Sequence, residues 1–313
     1  TTVLFNAKVD ALGEQLFYNS TGLERIVLPN NNVVIGNYCF YKCTNLTEIV
    51  FQANTVIEKI EGSVFQDTNL TTFIVESGNA NYQAFGELLL DAQGTTIIFA
   101  APYKDYGDYV LDSKYAAIGD GAFTGTNIKA LTLTNSNLTI GNFAFANCSN
   151  LEKVVFPLDG IKSIGRHAFN YATSLKTLEN LENVKEVNDY AFANTGLQSV
   201  TVGANAVYGE GAFFNSKLEE VTIGENTKFG LGAFQKCSYL VSVNMPQNGG
   251  VHFGAACFSN DILLEKIDLS KVDEEIERET FYNCISLKAA ELTTVKKVGD
   301  YAFAACSALI YLN

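Results

Sequence analysis

Hydrophobic and polar positions along this chain obey two rules in turn. Six-residue stretches such as Leu151-Glu152-Lys153-Val154-Val155-Phe156 end in strict in–out alternation, and the pattern returns at residues 23–28, 46–51, 70–75, 197–202, 218–223 and 264–269. Period-two alternation with β-branched residues predicts strands. Between them lies a block with Gly, Ala and Phe at fixed offsets. It is too short for a long helix and predicts a single α or 3-10 turn.

The two rules together form one repeat, Ile-Gly-x-x-Ala-Phe-x-x-Cys-x-x-Leu-x-x-Val-x-Phe-Pro, fullest between Ile140 and Pro157. Its anchor Phe falls at Phe17, Phe40, Phe65, Phe123, Phe145, Phe169, Phe192, Phe213, Phe234, Phe258, Phe281 and Phe303. Ten of the eleven intervals between these residues are 21–25 residues; the exception, Phe65 to Phe123, is 58 and marks one long irregular repeat at about 75–122. A small residue usually precedes the anchor, as at Ala144, Ala168 and Ala191, with Cys39 and Cys257 in the same place. Large beside small lets successive coils nest at interior density. Each buried Phe contributes roughly 1.5–3 kcal/mol. A strand in every period, always in the same direction, predicts a solenoid with a parallel sheet along one side. Gly36, Gly141, Gly165 and Gly299 are expected to permit the bend into the turn. The Asn two residues after the anchor (Asn19, Asn147, Asn194, Asn215, Asn260, Asn283) is expected to fix the return to the sheet.

This block resembles the BspA-like class of leucine-rich repeats, and the resemblance covers essentially the whole chain. It implies a right-handed superhelix formed as one domain over 1–313. It also implies an exported or cell-surface setting, in bacteria and some protists, with adhesion to host matrix proteins among the roles. No shared catalytic residues come with the family. The 75–122 region, with Val75-Glu76-Ser77-Gly78-Asn79 and Gly86-Glu87-Leu88-Leu89, resembles the longer repeat variant of such proteins.

Composition narrows the partners. The net charge of −13 argues against nucleic acid, whose phosphates need clustered Lys and Arg, and against adsorption to anionic lipid. No apolar run is long enough to span a membrane. Thr1 is not an initiator Met and no signal pattern is visible, so a trimmed chain is expected. The last copy ends at Leu312-Asn313 without a polar cap, and residues 1–10 read as a modest N-terminal cover.

Candidate chemistry is sparse. Cys43, Cys148, Cys237, Cys284 and Cys306 each lie three residues after an anchor, where other copies hold Ala, Thr or Ser, so they read as small core residues. A disulfide between Cys284 and Cys306, in adjacent coils, is the alternative. No Cys-x-x-Cys spacing suggests zinc. His167 shares its position with Tyr38, Phe143, Tyr190 and Tyr301 and reads as a stacking ring. Glu219-Glu220 and Glu274-Glu275 read as solvated charge. Five Asn-x-Ser/Thr sequons, at Asn19, Asn45, Asn69, Asn137 and Asn147, coincide with turn positions and read first as structural. No catalytic, metal or cofactor site is expected.

The best candidate site is the outward face of the sheet. One column includes Arg25, Glu48 and Lys153; the next includes Val27, Val50, Ile74, Thr132 and Val155 before turning polar at Thr201, Thr222, Asn244, Asp268 and Glu291. An exposed apolar stripe suggests a protein partner, against which stands plain strand propensity on a half-exposed surface. A second candidate is the Tyr-rich irregular repeat (Tyr82, Tyr103, Tyr106, Tyr109), which would stack on sugars in a glycan-binding protein unless those rings fill an irregular core. A structural spacer is the third reading.

Overall fold

A computed structural model describes residues 1–60 and 64–312 of the chain. Each coil contributes to three walls. The longer strands stack in parallel on the first wall, in three sheets. The first is Thr2–Leu4, Arg25–Val27, Glu48–Phe51 and Thr72–Val75; the second is Gly107–Leu111, Ile128–Leu133, Lys153–Val155 and Thr177–Glu179; six strands from Ser199–Val202 to Tyr311–Leu312 form the third. The strands predicted from alternation all form, beginning about two residues later than the sequence pattern suggests. Within residues 1–10, Thr2–Leu4 pairs with Arg25–Val27 and is the first strand of the wall.

The second wall carries a sheet that the sequence pattern did not predict. From Ala117–Ile118 onward the residue just before the Gly position lies in a two-residue strand, for example Thr139–Ile140, Ser163–Ile164, Val207–Tyr208 and His252–Phe253, each parallel to its neighbour on the wall; nearer the N-terminus the same wall has the longer strands Asn32–Ile35 and Val56–Ile60. Two residues show no readable alternation, so most of this wall is not legible in the sequence.

The third wall is made of turns rather than regular helix. The 3-10 turns present, Leu181–Asn183 and Leu269–Lys271, lie elsewhere. The turns are nevertheless laddered. In most coils the anchor amide donates to the carbonyl of the residue before the next anchor: Phe123 to Ala144 at 2.7 Å, Phe145 to Ala168 at 2.7 Å, Phe169 to Ala191 at 2.7 Å and Phe192 to Ala212 at 2.8 Å. Left-handed backbone flanks the anchor on both sides. The Asn column supplies one such position (Asn147 φ 58°, Asn194 φ 57°), as its turn chemistry suggests, while Phe143, His167 and Tyr190 supply the other at φ 54–56°. Bulky rings rarely adopt this conformation; here they stack on each other.

The core is the aromatic spine. Consecutive rings from Phe123 to Phe303 are near-parallel, with centroids 5.1–5.6 Å apart. Phe17, Phe40 and Phe65 form a shorter run at 5.4–5.5 Å. The long repeat interrupts the two. There the chain folds into an antiparallel meander of Tyr82–Phe85, Leu88–Asp91 and Thr96–Ala100, and Phe99 caps Phe65 edge-on at 5.0 Å. The buried apolar residues accordingly form two clusters that meet at the meander.

The Gly column works differently from the sequence expectation. Gly36, Gly141, Gly165 and Gly299 do not have positive φ. They are there for close approach: a Cβ at Gly165 would lie 2.5 Å from the carbonyl carbon of Gly141, and one at Gly36 would lie 2.5 Å from the Glu14 amide.

Tyr208 stands in the second-wall column that Phe229 and Phe253 fill in the next coils, and it is buried. Its hydroxyl faces the Gly203 backbone without completing a hydrogen bond. A buried unpaired hydroxyl costs about 1–3 kcal/mol. Tyr208→Phe is therefore expected to raise stability by about 1 kcal/mol, read as a higher urea midpoint at unchanged slope; a lower midpoint would show that the hydroxyl has a native partner.

Candidate functional site

The outer face of the first wall brings the predicted apolar residues into register. Leu4, Val27, Val50 and Ile74 are paired in sequence across four strands, and Val110, Thr132, Val155 and Glu179 across the next four. Val27, Ile74, Thr132 and Val155 are half-buried. Val50 departs from expectation. Only 1% of it is exposed, although it lies outside the interior cluster. It sits mid-row between Val27 and Ile74 at ladder spacing. Val50 therefore offers a partner nothing to touch.

Two residues missed from sequence are the most open members of the stripe, Leu4 at 58% and Val110 at 63% exposure. Leu4 lies in the segment read as a cover, and Val110 lies in the irregular repeat, where the strand pattern is masked by tyrosines. The alternation of Val3 and Val110 with their neighbours was the available signal.

The charged column beside the stripe is paired within itself at Arg25–Glu48 and to the acidic end of the stripe's own row at Lys153–Glu179. Arg25 Nε meets Glu48 Oε2 at 3.1 Å, and Lys153 Nζ meets Glu179 Oε1 at 2.6 Å, all four half-exposed. Such pairs contribute little stability, about 0–1 kcal/mol each; they leave the stripe flanked by neutralised charge. Toward the other end the stripe's column becomes Thr201, Thr222, Asn244, Asp268 and Glu291, and around the small Ala289 a shallow depression is lined by Ser242, Asn244, Lys266, Asp268 and Glu291.

The Tyr-rich repeat does not present a platform of rings. Tyr106 is buried, donates its hydroxyl to the Ala101 carbonyl at 3.1 Å, and meets Tyr109 and Phe123 edge-on. Tyr109 is half-buried against Phe123, and burial first, then Tyr115, Glu87 and Asp112, push its hydroxyl up to about 12. Tyr82 accepts from the Ile57 amide at 2.9 Å and packs edge-on against Phe51. These rings fill the gap left by the missing coil. Tyr103 alone of the four is open, at 61%.

The remaining candidates resolve as packing. His167 is stacked between Phe143 (4.8 Å) and Tyr190 (5.1 Å), and burial, aided by Arg166, holds its imidazole below its usual range. His252 lies 3.7 Å from Asp273 and 3.3 Å from Glu277. All seven cysteines are buried and free, Cys284 and Cys306 included. Burial pushes the Cys148 thiol up to about 11 and the Cys39 thiol up to about 12, so neither supplies the thiolate that nucleophilic chemistry needs. Among the described residues, no group of three or more His, Cys, Asp and Glu could hold a metal ion, and no helix is long and apolar enough to cross a membrane.

The family described as BspA type Leucine rich repeat region (6 copies) matches residues 1–87, 103–208 and 206–313. The chain belongs to this family. The stretch between the first two matches, 88–102, holds the second and third strands of the meander, where the repeat geometry lapses. No curated protein matches the chain. Among solved structures, it is similar to a leucine-rich repeat protein from Bacteroides ovatus (18% identity, 99% of this chain and 86% of that one, TM-score 0.51) and to one from Eubacterium ventriosum (17% identity, 98% and 82%, TM-score 0.52). It is also similar to the pneumococcal vaccine antigen PcpA (21% identity, 76% and 70%, TM-score 0.53). These likenesses share the fold.

Proposed function

We propose that this chain is a non-catalytic surface protein that binds a protein partner along the outer face of its first wall. The observation that carries this reading is the stripe itself. Leu4, Val27 and Ile74, then Val110 and Val155, set apolar side chains on a solvent-facing sheet, and the same column becomes polar and acidic beyond Glu179. A partner of matching pattern would bury an apolar segment at one end and place cationic or hydrogen-bonding groups at the other. An extracellular or cell-surface location, and a matrix or surface protein as partner, follow from the family resemblance. The glycan reading keeps Tyr103 as the one open ring of its four tyrosines, with Phe85 open in the same repeat but covered on one side by Lys114.

The test is a pull-down against a panel of matrix and surface proteins. Val27→Glu, Ile74→Glu and Val155→Glu are expected to weaken capture at least about tenfold, the effect of losing one anchor worth about 1.4 kcal/mol, with circular dichroism unchanged. Val50→Glu is excluded as a probe because that site is buried. Full capture by all three variants would remove this face as the binding site.

A further inference from the structure

Three residues after each anchor, the chain places a small side chain in a fixed slot. In the cysteine coils, the thiol donates to the carbonyl of the preceding anchor. Cys43 reaches Phe17 O at 2.9 Å, Cys237 reaches Phe213 O at 3.2 Å, Cys284 reaches Phe258 O at 3.1 Å and Cys306 reaches Phe281 O at 3.0 Å. Thr195 and Ser216, in the same slot, donate to the anchor carbonyl of their own coil at 2.9 and 2.8 Å. The slot presents acceptors and, apart from Ala172, the Cys, Thr and Ser side chains in it carry a donor.

In the coil anchored by Phe258 the slot holds Asp261. This residue is wholly buried, and neither carboxyl oxygen has a hydrogen-bond partner. The titratable groups facing it are all thiols: Cys237 in the preceding coil, Cys257 in its own and Cys284 in the next. The protons of the two flanking slot thiols are already given to the Phe213 and Phe258 carbonyls. The Cys237 amide also faces the carboxyl, but it donates to Phe234 O at 3.0 Å. An ionised carboxylate has only acceptors, whereas a protonated one has an O–H to donate.

We propose that Asp261 is carried as the neutral carboxylic acid, that its O–H takes the donor role of the slot thiols toward the Phe234 carbonyl, and that loss of this proton loosens the coils on either side. The joint is then a pH-sensitive point in an otherwise uniform stack. Burial acts in the same direction on all its members, holding the carboxyl well above the usual carboxylate range and the three thiols above theirs, so the site is uncharged as a unit.

The sign follows from linkage. Between the unfolded value for Asp, about 3.9, and the raised folded value, the native chain holds one proton more than the unfolded chain. Stability from this group is therefore fully present below the unfolded value and is lost as pH rises toward the folded one, by up to about tenfold in the unfolding constant per pH unit. His167, held below its usual range, has the opposite sign, so the comparison must keep it constant.

The test is urea unfolding of the full chain, Asp261→Asn and Asp261→Cys, from about pH 5 to about pH 8, with infrared spectra of each. The ratio of the wild-type unfolding constant to that of Asp261→Asn is expected to climb with pH. At neutral pH the wild type is expected to show a protonated-carboxyl C=O band that both variants lack. Asp261→Cys restores the column pattern and carries the comparison if the Asn variant does not fold. A ratio that stays flat across the range, together with no carboxylic acid band, would overturn the proposal.

Discussion

Phe169→Ala is expected to cost about 3–5 kcal/mol of folding stability. The ring is fully buried between Phe145 and Phe192, at 5.1 and 5.2 Å and within 6° of parallel to both. Truncation opens a void facing two coils at once. The backbone cannot close it, because the Phe169 amide is tied to Ala191 O at 2.7 Å and the Phe145 amide to Ala168 O at 2.7 Å. In a one-dimensional array the damage appears in both nearest-neighbour interfaces. Phe17 and Phe303 stack on one ring each and are only half-buried, so their Ala variants should lose clearly less. Urea denaturation of the three variants decides it. Equal losses at the middle and the ends would mean that the spine is not what couples the coils.

The second large effect is expected at Gly165. A Cβ there would sit 2.5 Å from Gly141 C and 2.6 Å from Gly141 O, and these are backbone atoms that cannot swing aside. The coils must part, against the bond from the Gly165 amide to Ile140 O at 2.8 Å. Forcing extra volume into a packed contact costs about 1–3 kcal/mol, while the lower chain entropy of Ala returns only about 0.4–1 kcal/mol. Gly165→Ala should therefore destabilise. Gly13, where an added methyl would meet nothing within 4 Å, is the control, and Gly13→Ala should be neutral or mildly stabilising. A Gly165→Ala protein melting with the wild type would refute close approach as the reason for glycine.

What could be read from the chain, and what could not, divides along physical lines. The Phe spine was legible because a ring that stacks on its own kind in every coil must recur at the coil period. The cysteines were legible for the same reason: their slot alternates with Thr, Ser and Ala, which share only size and a donor or nothing. Most of the second wall is hidden because its strands from Ala117–Ile118 onward are two residues long, shorter than one alternation. The glycines were assigned the wrong cause, since bending and close approach both select a missing Cβ, and only the third dimension separates them. Burial of Val50 is a property of the packed face that alternation does not carry, and Asp261 is hidden because nearly every other residue of its column is Cys, Thr or Ser. The acceptor geometry that makes it anomalous belongs to carbonyls, which no side-chain pattern reveals. On the candidate face, the stripe was legible in Val27, Ile74 and Val155, while Leu4 and Val110 needed the register.

The laddered third wall bears on how a chain of this kind can change length. A copy of one whole period, inserted between Phe145 and Phe169, would meet above and below it the ring, amide and carbonyl partners that its parent already had. Growth by complete units is thus close to neutral, whereas gain or loss of one residue throws all three walls out of phase together. The hairpin of Tyr82–Phe85 and Leu88–Asp91 is exempt, because those two strands pair within the meander, and only Thr96–Ala100 joins the parallel ladder, at Ala117–Ile118. Small insertions and deletions should therefore collect at that one place when sister sequences are laid side by side.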